Sequence, residues 1–177
     1  MGIVTTTCTK ESELIQILSL QSKNSPENLS SGEKTQEGFV TVSHNLELLN
    51  RMNAVCPHII AKDGAVVVGY ALCMHPNFGL EIEILKPMIA EINSLLPPPD
   101  PYIIMGQICI DKSYRKKGIF RELYKTMKQT LPPQYKRIIT EVDTSNPRSL
   151  NAHYAVGFTD LKTYVSGKHE WKLIELQ

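Results

Sequence analysis

The spacing of hydrophobic residues switches abruptly beyond the middle of the chain, and that switch constrains the fold more than any other feature. Ile103 to Ile110 form an apolar run short enough for a buried strand. Asp111 to Lys117 are mostly polar and basic. From Gly118 onward, Ile119, Phe120, Leu123, Tyr124 and Met127 fall on one face of a helix. The segment therefore reads strand, tight basic loop, helix start. A helix start leaves backbone N–H groups unpaired at the positive end of its dipole. Arg115, Lys116 and Lys117 add charge there, and Gly118, with no Cβ, lets an anion approach the backbone. These features fit phosphate or pyrophosphate. A solvated basic turn is the other reading of the loop taken alone.

Residues 138 to 143, Ile-Ile-Thr-Glu-Val-Asp, read as another strand. Asn146 then suits an N-cap and Pro147 the first helical position. A short helix to about Val156 ends at Gly157, and Phe158 opens a further strand.

In order and spacing, these two stretches resemble the GNAT acetyltransferase superfamily. Its phosphate loop carries Gln or Arg, then Gly three residues on, then Gly or Ala two further. Arg115 and Gly118 match and Phe120 departs. Its later motif is similar to Asn146, Ser149, His153, Gly157 and Phe158. The resemblance implies an α/β (α+β) fold: a mixed, mostly antiparallel sheet of about six or seven strands with helices on both faces. A central parallel pair, here 102 to 110 and 137 to 142, would splay apart around the cofactor arm. It also implies a single GNAT-like acetyltransferase domain over residues 1–177.

The remaining elements agree with that order. Residues 3 to 8 are β-branched and strand-like, which argues against a free Gly2 for lipidation despite the Met1-Gly2…Thr6 pattern. Thr9 is placed to cap a helix ending near Ser22, and 44 to 52 form a second helix with Leu46, Leu49 and Met52 inward. Residues 23 to 38 read as a surface loop, with Ser30 and Glu33 spaced for a capping box, or as an acceptor-side lid. Asp63-Gly64 between two apolar runs predicts a hairpin, and Gly69 within the second run predicts a bulge or close backbone contact. A helix from Pro87 to about Leu96 precedes the extended prolines at 97 to 99 and 101. Phe158 to Ser166 and Lys168 to Ile174 predict a second hairpin.

Composition narrows the function. The 177 residues suffice for one domain with a sizeable core, and a net charge of +1 gives no global field for nucleic acid or an anionic membrane. Cys8, Cys56, Cys73 and Cys109 are dispersed and fit reduced, buried thiols; neither they nor the five histidines show metal-ligand spacing, so no metal is expected. With no secretory signal and no apolar run near about 18 residues, a soluble cytoplasmic protein is expected.

The family resemblance implies transfer of an acetyl group from acetyl-CoA to a primary amine of a small molecule or peptide. A non-catalytic acyl-CoA-binding sensor is the alternative, and pairing into a homodimer is compatible with either. By that resemblance the backbone of Ile108, Cys109 and Ile110 would bind the pantetheine arm. The N–H groups of Arg115, Lys116, Lys117, Gly118, Ile119 and Phe120 would hold the pyrophosphate, with Phe120 turned into the core. Asn146 and Ser149 would contact the cofactor arm or serve the helix cap. His153 occupies the slot of the acid that protonates the CoA thiolate; Tyr154, about 100° further round the helix, is the other candidate acid. An alkyl ammonium must lose a proton before attack, its reference pKa being about 10.4. Glu141 either faces the site as that base or forms a salt bridge; Glu81, Glu83 and His75 are weaker candidates. Cys109 beside the thioester raises a covalent acyl-enzyme, which ranks behind direct transfer.

Overall fold

The computed structural model of the chain describes residues 2–25, 42–96 and 101–177. The strand expected at 3 to 8 forms as β1 (Val4–Thr7), followed by α1 (Glu11–Lys23). Thr9, expected to cap α1, does not: the N-cap falls at Lys10. Glu13 reaches back instead, its Oε2 accepting from the backbone N–H of Thr9 at 2.9 Å and of Lys10 at 3.1 Å. A carboxylate in the first turn satisfies orphan donors and complements the helix dipole, so no cap hydroxyl is required.

Next come α2 (Leu46–Val55) and the hairpin β2 (Ile59–Asp63) and β3 (Val66–Met74). Asn45 Oδ1 caps α2 by accepting from Leu48 N–H at 2.8 Å. Gly64 turns the hairpin at φ +59°, a conformation that costs glycine little. The register passes from Ala61↔Gly69 to Lys62↔Val67, so Val68 is the extra residue of a bulge. A Cβ on Gly69 would stand 3.2 Å from the Cys109 carbonyl oxygen. Both features expected of Gly69 are therefore present.

The segment after β3 holds more helix than its sequence predicts: α3 (Pro76–Gly79), a 3-10 turn (Glu83–Leu85) and α4 (Lys86–Leu95). His75 Nδ1 caps α3 by accepting from Asn77 N–H. Then follow β4 (Tyr102–Ile110), a 3-10 turn (Lys112–Tyr114), α5 (Ile119–Thr130), β5 (Arg137–Asp143), α6 (Pro147–Tyr154), β6 (Thr159–Ser166) and β7 (His169–Leu176). The expected Ser30–Glu33 capping box, most of the 23-to-38 loop and the Pro97-Pro98-Pro99 connection lie outside the described residues.

The seven strands pair in the order β1-β2-β3-β4-β5-β7-β6, giving the mixed, mostly antiparallel sheet expected. β4 and β5 are parallel and pair only at Tyr102↔Arg137, Ile103↔Ile138 and Ile104↔Ile139. The next carbonyl, that of Met105, accepts from the Thr140 hydroxyl at 2.9 Å. A side chain thus takes a carbonyl that a continuing ladder would use.

The chain divides into two compact units, Met1–Cys73 with Gly106–Leu131, and Met74–Met105 with Pro132–Gln177. In the first, α5 buries Ile119, Leu123, Tyr124 and Met127 and packs on β1 and β2. Thr5 and Thr126 share a hydroxyl hydrogen bond of 2.8 Å there, and α1, which buries Leu14 and Ile17, packs on α2, which buries Leu49 and Met52. In the second, β7 is sandwiched between β5 and β6. Met88, Ile89 and Ile92 of α4 are buried, and Glu91 on the same helix accepts from Lys162 Nζ of β6 at 2.5 Å.

Candidate active site

In the first unit, β4 ends and the basic loop begins with Asp111, whose Oδ1 accepts from Ser113 N–H at 2.9 Å. Two residues of the loop adopt left-handed backbone: Lys116 at φ +62° and Gly118 at φ +79°. Lys116 is the single non-glycine residue with positive φ among the described residues. Such a conformation is uncommon outside turns and sites, and alternating backbone of this kind turns successive N–H groups toward a common point. No hydrogen bond joins the N–H of Lys116, Lys117, Gly118 or Ile119 to another described residue. Space beside Gly118 is open: a Cβ there would meet nothing within 4 Å. The loop thus presents a row of amide donors with no hydrogen-bond partner among the described residues at the start of α5, exposed at Lys116 to Gly118, which fits a diphosphate.

Arg115 faces back into the protein. Its Nε donates to the Ile110 carbonyl at 3.1 Å and its Nη2 to Asn24 Oδ1 at 3.0 Å. Lys116 and Lys117 are exposed, with Lys117 Nζ 4.6 Å from the centre of the Tyr114 ring. Ile119 is buried, while Phe120 is half-buried and packs edge-on against Tyr124 with ring centres 5.2 Å apart. The bulk at position 120 is thereby held along the helix flank.

Along β4, Gln107 and Cys109 are buried while Ile108 and Ile110 are partly exposed. Burial pushes the Cys109 thiol up to about 12, with Asp111 adding to the rise and Arg115 opposing it. A thiol that stays protonated is a poor nucleophile, which disfavours the covalent route.

In the second unit, Glu141 projects from β5 between the buried Thr140 and Val142. Burial pushes its carboxyl up to about 7, and a hydrogen bond from the Tyr164 hydroxyl of β6 partly offsets that rise. Asn146 caps α6, its Oδ1 accepting from Ser149 N–H at 3.1 Å. His153 is 1% exposed. Its Nδ1 donates to the Ser149 carbonyl at 2.7 Å, and its ring meets Phe158 edge-on at 5.0 Å. Burial pulls the imidazole down to about 4. At neutral pH the ring is therefore uncharged, with the proton on Nδ1 committed to the helix backbone. Tyr154 is 38% exposed and donates to Asp160 Oδ1 at 2.6 Å. Of the weaker candidates, His75 serves as a cap and Glu83 pairs with Lys86 on the surface.

A comparison with family models matches residues 17–158 to the acetyltransferase (GNAT) family. The chain belongs to the GNAT family. It is an acyl-CoA-dependent N-acetyltransferase. Solved structures agree on the GNAT fold. The NatC complex bound to Gag peptide and CoA is similar with a TM-score of 0.70 at 15% identity, covering 99% of this chain and 98% of that one. Arabidopsis thaliana Naa50, in complex with the bisubstrate analogue CoA-Ac-MVNAL, gives 0.66 at 13% identity over 100% and 99%. The putative acetyltransferase yncA from Salmonella typhimurium, with its cofactor acetyl-CoA, gives 0.64 at 11% over 100% and 94%. A comparison with curated proteins found no match. Among the described residues, no three His, Cys, Asp or Glu side chains group as metal ligands, and no helix is long and apolar enough to cross a membrane.

For this GNAT domain, Tyr164 is the partner that sequence reasoning misses. It lies 23 positions from Glu141, and only the registers Glu141↔Leu173 and Tyr164↔Trp171 bring the two to one face of the sheet.

Proposed function

We propose that the chain acetylates a primary amine by direct attack on the thioester of acetyl-CoA in a ternary complex, with Glu141 as the base. The observation that carries this reading is the Glu141 carboxyl, raised by burial to about 7 and oriented by the Tyr164 hydroxyl. A base poised near ambient pH combines availability with driving force. One ammonium proton passes to Glu141. The amine nitrogen then attacks the carbonyl carbon, the C–S bond breaks, and CoA leaves as thiolate. The second nitrogen proton departs as the amide forms, and the thiolate takes up one proton. The amides of Lys116 to Ile119 hold the diphosphate, and the lysines beside them add attraction.

The acceptor class follows from proton affinities. A peptide α-ammonium, near a pKa of about 8, gives its proton to such a base at a cost of about 1.4 kcal/mol. A lysine-like ammonium at about 10.4 lies more than about three pKa units away and costs correspondingly more. A peptide N-terminus is therefore the acceptor of choice, and the peptide-bound NatC and Naa50 structures support testing peptides first.

In wild type, kcat/KM should rise with pH through about 7 as Glu141 ionises. Glu141→Gln should lower it by roughly 10²- to 10³-fold and erase that limb. A variant that keeps both rate and limb removes Glu141 from the role. Competition between an N-terminal amine and an internal lysine in one peptide reads out the acceptor.

A further inference from the structure

The amide row between Lys116 and Ile119 is held from two sides by residues outside the family's loop motif. On one side, Asn24 closes α1 as its C-cap and is 4% exposed. Its Nδ2 donates to the Leu20 carbonyl at 2.9 Å, which leaves Oδ1 to accept from Arg115 Nη2 at 3.0 Å. Arg115 simultaneously donates from Nε to the Ile110 carbonyl, the last residue of β4. The guanidinium thus spans the end of a helix and the end of a strand. A planar, always-charged fork suits such a span better than a lysine would. On the other side, Tyr114 donates its hydroxyl to Asp63 Oδ2 at 3.0 Å, at the tip of the β2–β3 hairpin. The Tyr114 ring also lies under Lys117 Nζ at 4.6 Å. Directly after these two anchored residues, Lys116 keeps its left-handed φ of +62°. A non-glycine residue holds that conformation only when its surroundings over-determine it.

We propose that Asn24 and Asp63 are positioning residues for the cofactor diphosphate: acting through Arg115 and Tyr114, they fix the loop in its donor-forward shape before acetyl-CoA arrives. This rests on reading the loop as the diphosphate site. Its physical content is preorganisation. A loop already in the binding shape loses less conformational freedom on binding, and a misplacement near 1 Å removes a large share of a positioned contact's worth. Arg115 then acts mainly as a strut. Its charge serves the diphosphate at a distance, while the amides make the contacts.

The test separates strut from ligand by the sign of an effect. Asn24→Ala should raise KM for acetyl-CoA about tenfold with kcat and the amine KM unchanged, because the shape of the loop and not the chemistry is lost. Asn24→Asp keeps an acceptor for the guanidinium but loses the Nδ2 donor to the Leu20 carbonyl at the end of α1, so it should recover part of that rise and not all of it. Tyr114→Phe, which keeps the ring beneath Lys117 and deletes only the hydroxyl, should raise the same KM with kcat unchanged. It also gives an answer should Asn24→Ala fail to fold. If Asn24→Ala leaves KM unchanged or lowers it, the strut is overturned. Gly118→Glu tests the underlying reading separately. It should abolish the rise in melting temperature produced by CoA, and an undiminished rise overturns the diphosphate site itself, whatever Asn24 does.

Discussion

Glu141 and Tyr164 form a pair whose titration has a definite sign. Burial raises the carboxyl, and the Tyr164 hydroxyl, which favours the ionised form, pulls it partly back to about 7. Glu91 of α4 lies close enough to Tyr164 to help keep its phenol protonated, and Lys162 pairs with Glu91 beside it. Tyr164→Phe deletes the donor and leaves the burial, so the carboxyl should climb further. The acid limb of kcat/KM should then move to higher pH, and activity at neutral pH should fall although the plateau at high pH survives. Parallel pH–rate profiles of the two proteins check this. His153 stands in contrast. Its buried ring is neutral at Nε2 and gives its one proton to a carbonyl, so its visible work is to lock α6 against Phe158.

At the scale of elements, β4 has two different halves. Tyr102 to Ile104 are paired in parallel to β5, and pairing stops where the Thr140 hydroxyl takes the Met105 carbonyl. Thr140→Val keeps the shape and removes the donor. The buried carbonyl then lacks its partner, at a cost of about 1–3 kcal/mol, which urea denaturation measures. Further along, Gln107 sits in a buried network. Its Oε1 accepts from Tyr70 at 2.6 Å and from Gln21 at 2.7 Å, and its Nε2 donates to the Val42 carbonyl at 2.8 Å. Three of its hydrogen-bonding positions are therefore filled by groups from three chain segments. The strand next to the proposed thioester backbone at 108 to 110 is held by side-chain hydrogen bonds as well as by the sheet.

At the scale of the whole molecule, buried histidines set the acid limit of stability. Burial depresses His44 and His153 to about 4 and His58 to about 3. The unfolded chain takes up these protons below about pH 6.5, whereas the folded chain resists them until nearer pH 4 or below. Stability should therefore fall as pH drops from about 6.5 towards 4, by roughly 1.4 kcal/mol per pH unit for each group across its own interval. Glu141 works in the opposite direction, because its folded carboxyl binds a proton near 7, before the unfolded chain does. Three groups against one leave a net acid loss. Urea midpoints at pH 7 and pH 5 should differ in that direction, and His153→Gln should reduce the slope.

Much of this was legible along the chain because it depends on neighbours in sequence. Gly118 preceding a period-3.6 apolar face announces a helix start, Asn146-Pro147 announces another, and Asp63-Gly64 a hairpin; each rests on local sterics or on hydrogen bonds spanning a few residues. The α/β order and the amide-lined loop follow from such local rules. What only the tertiary structure decided involves partners far apart in sequence. Arg115 meets Asn24 across 91 positions and Gln107 meets Gln21 across 86. The proton preferences of Glu141 and His153 depend on burial and on the strand register that brings in Tyr164. Spacing along a chain carries information about turns and periods, but desolvation and long-range hydrogen bonds exist only once distant segments have packed.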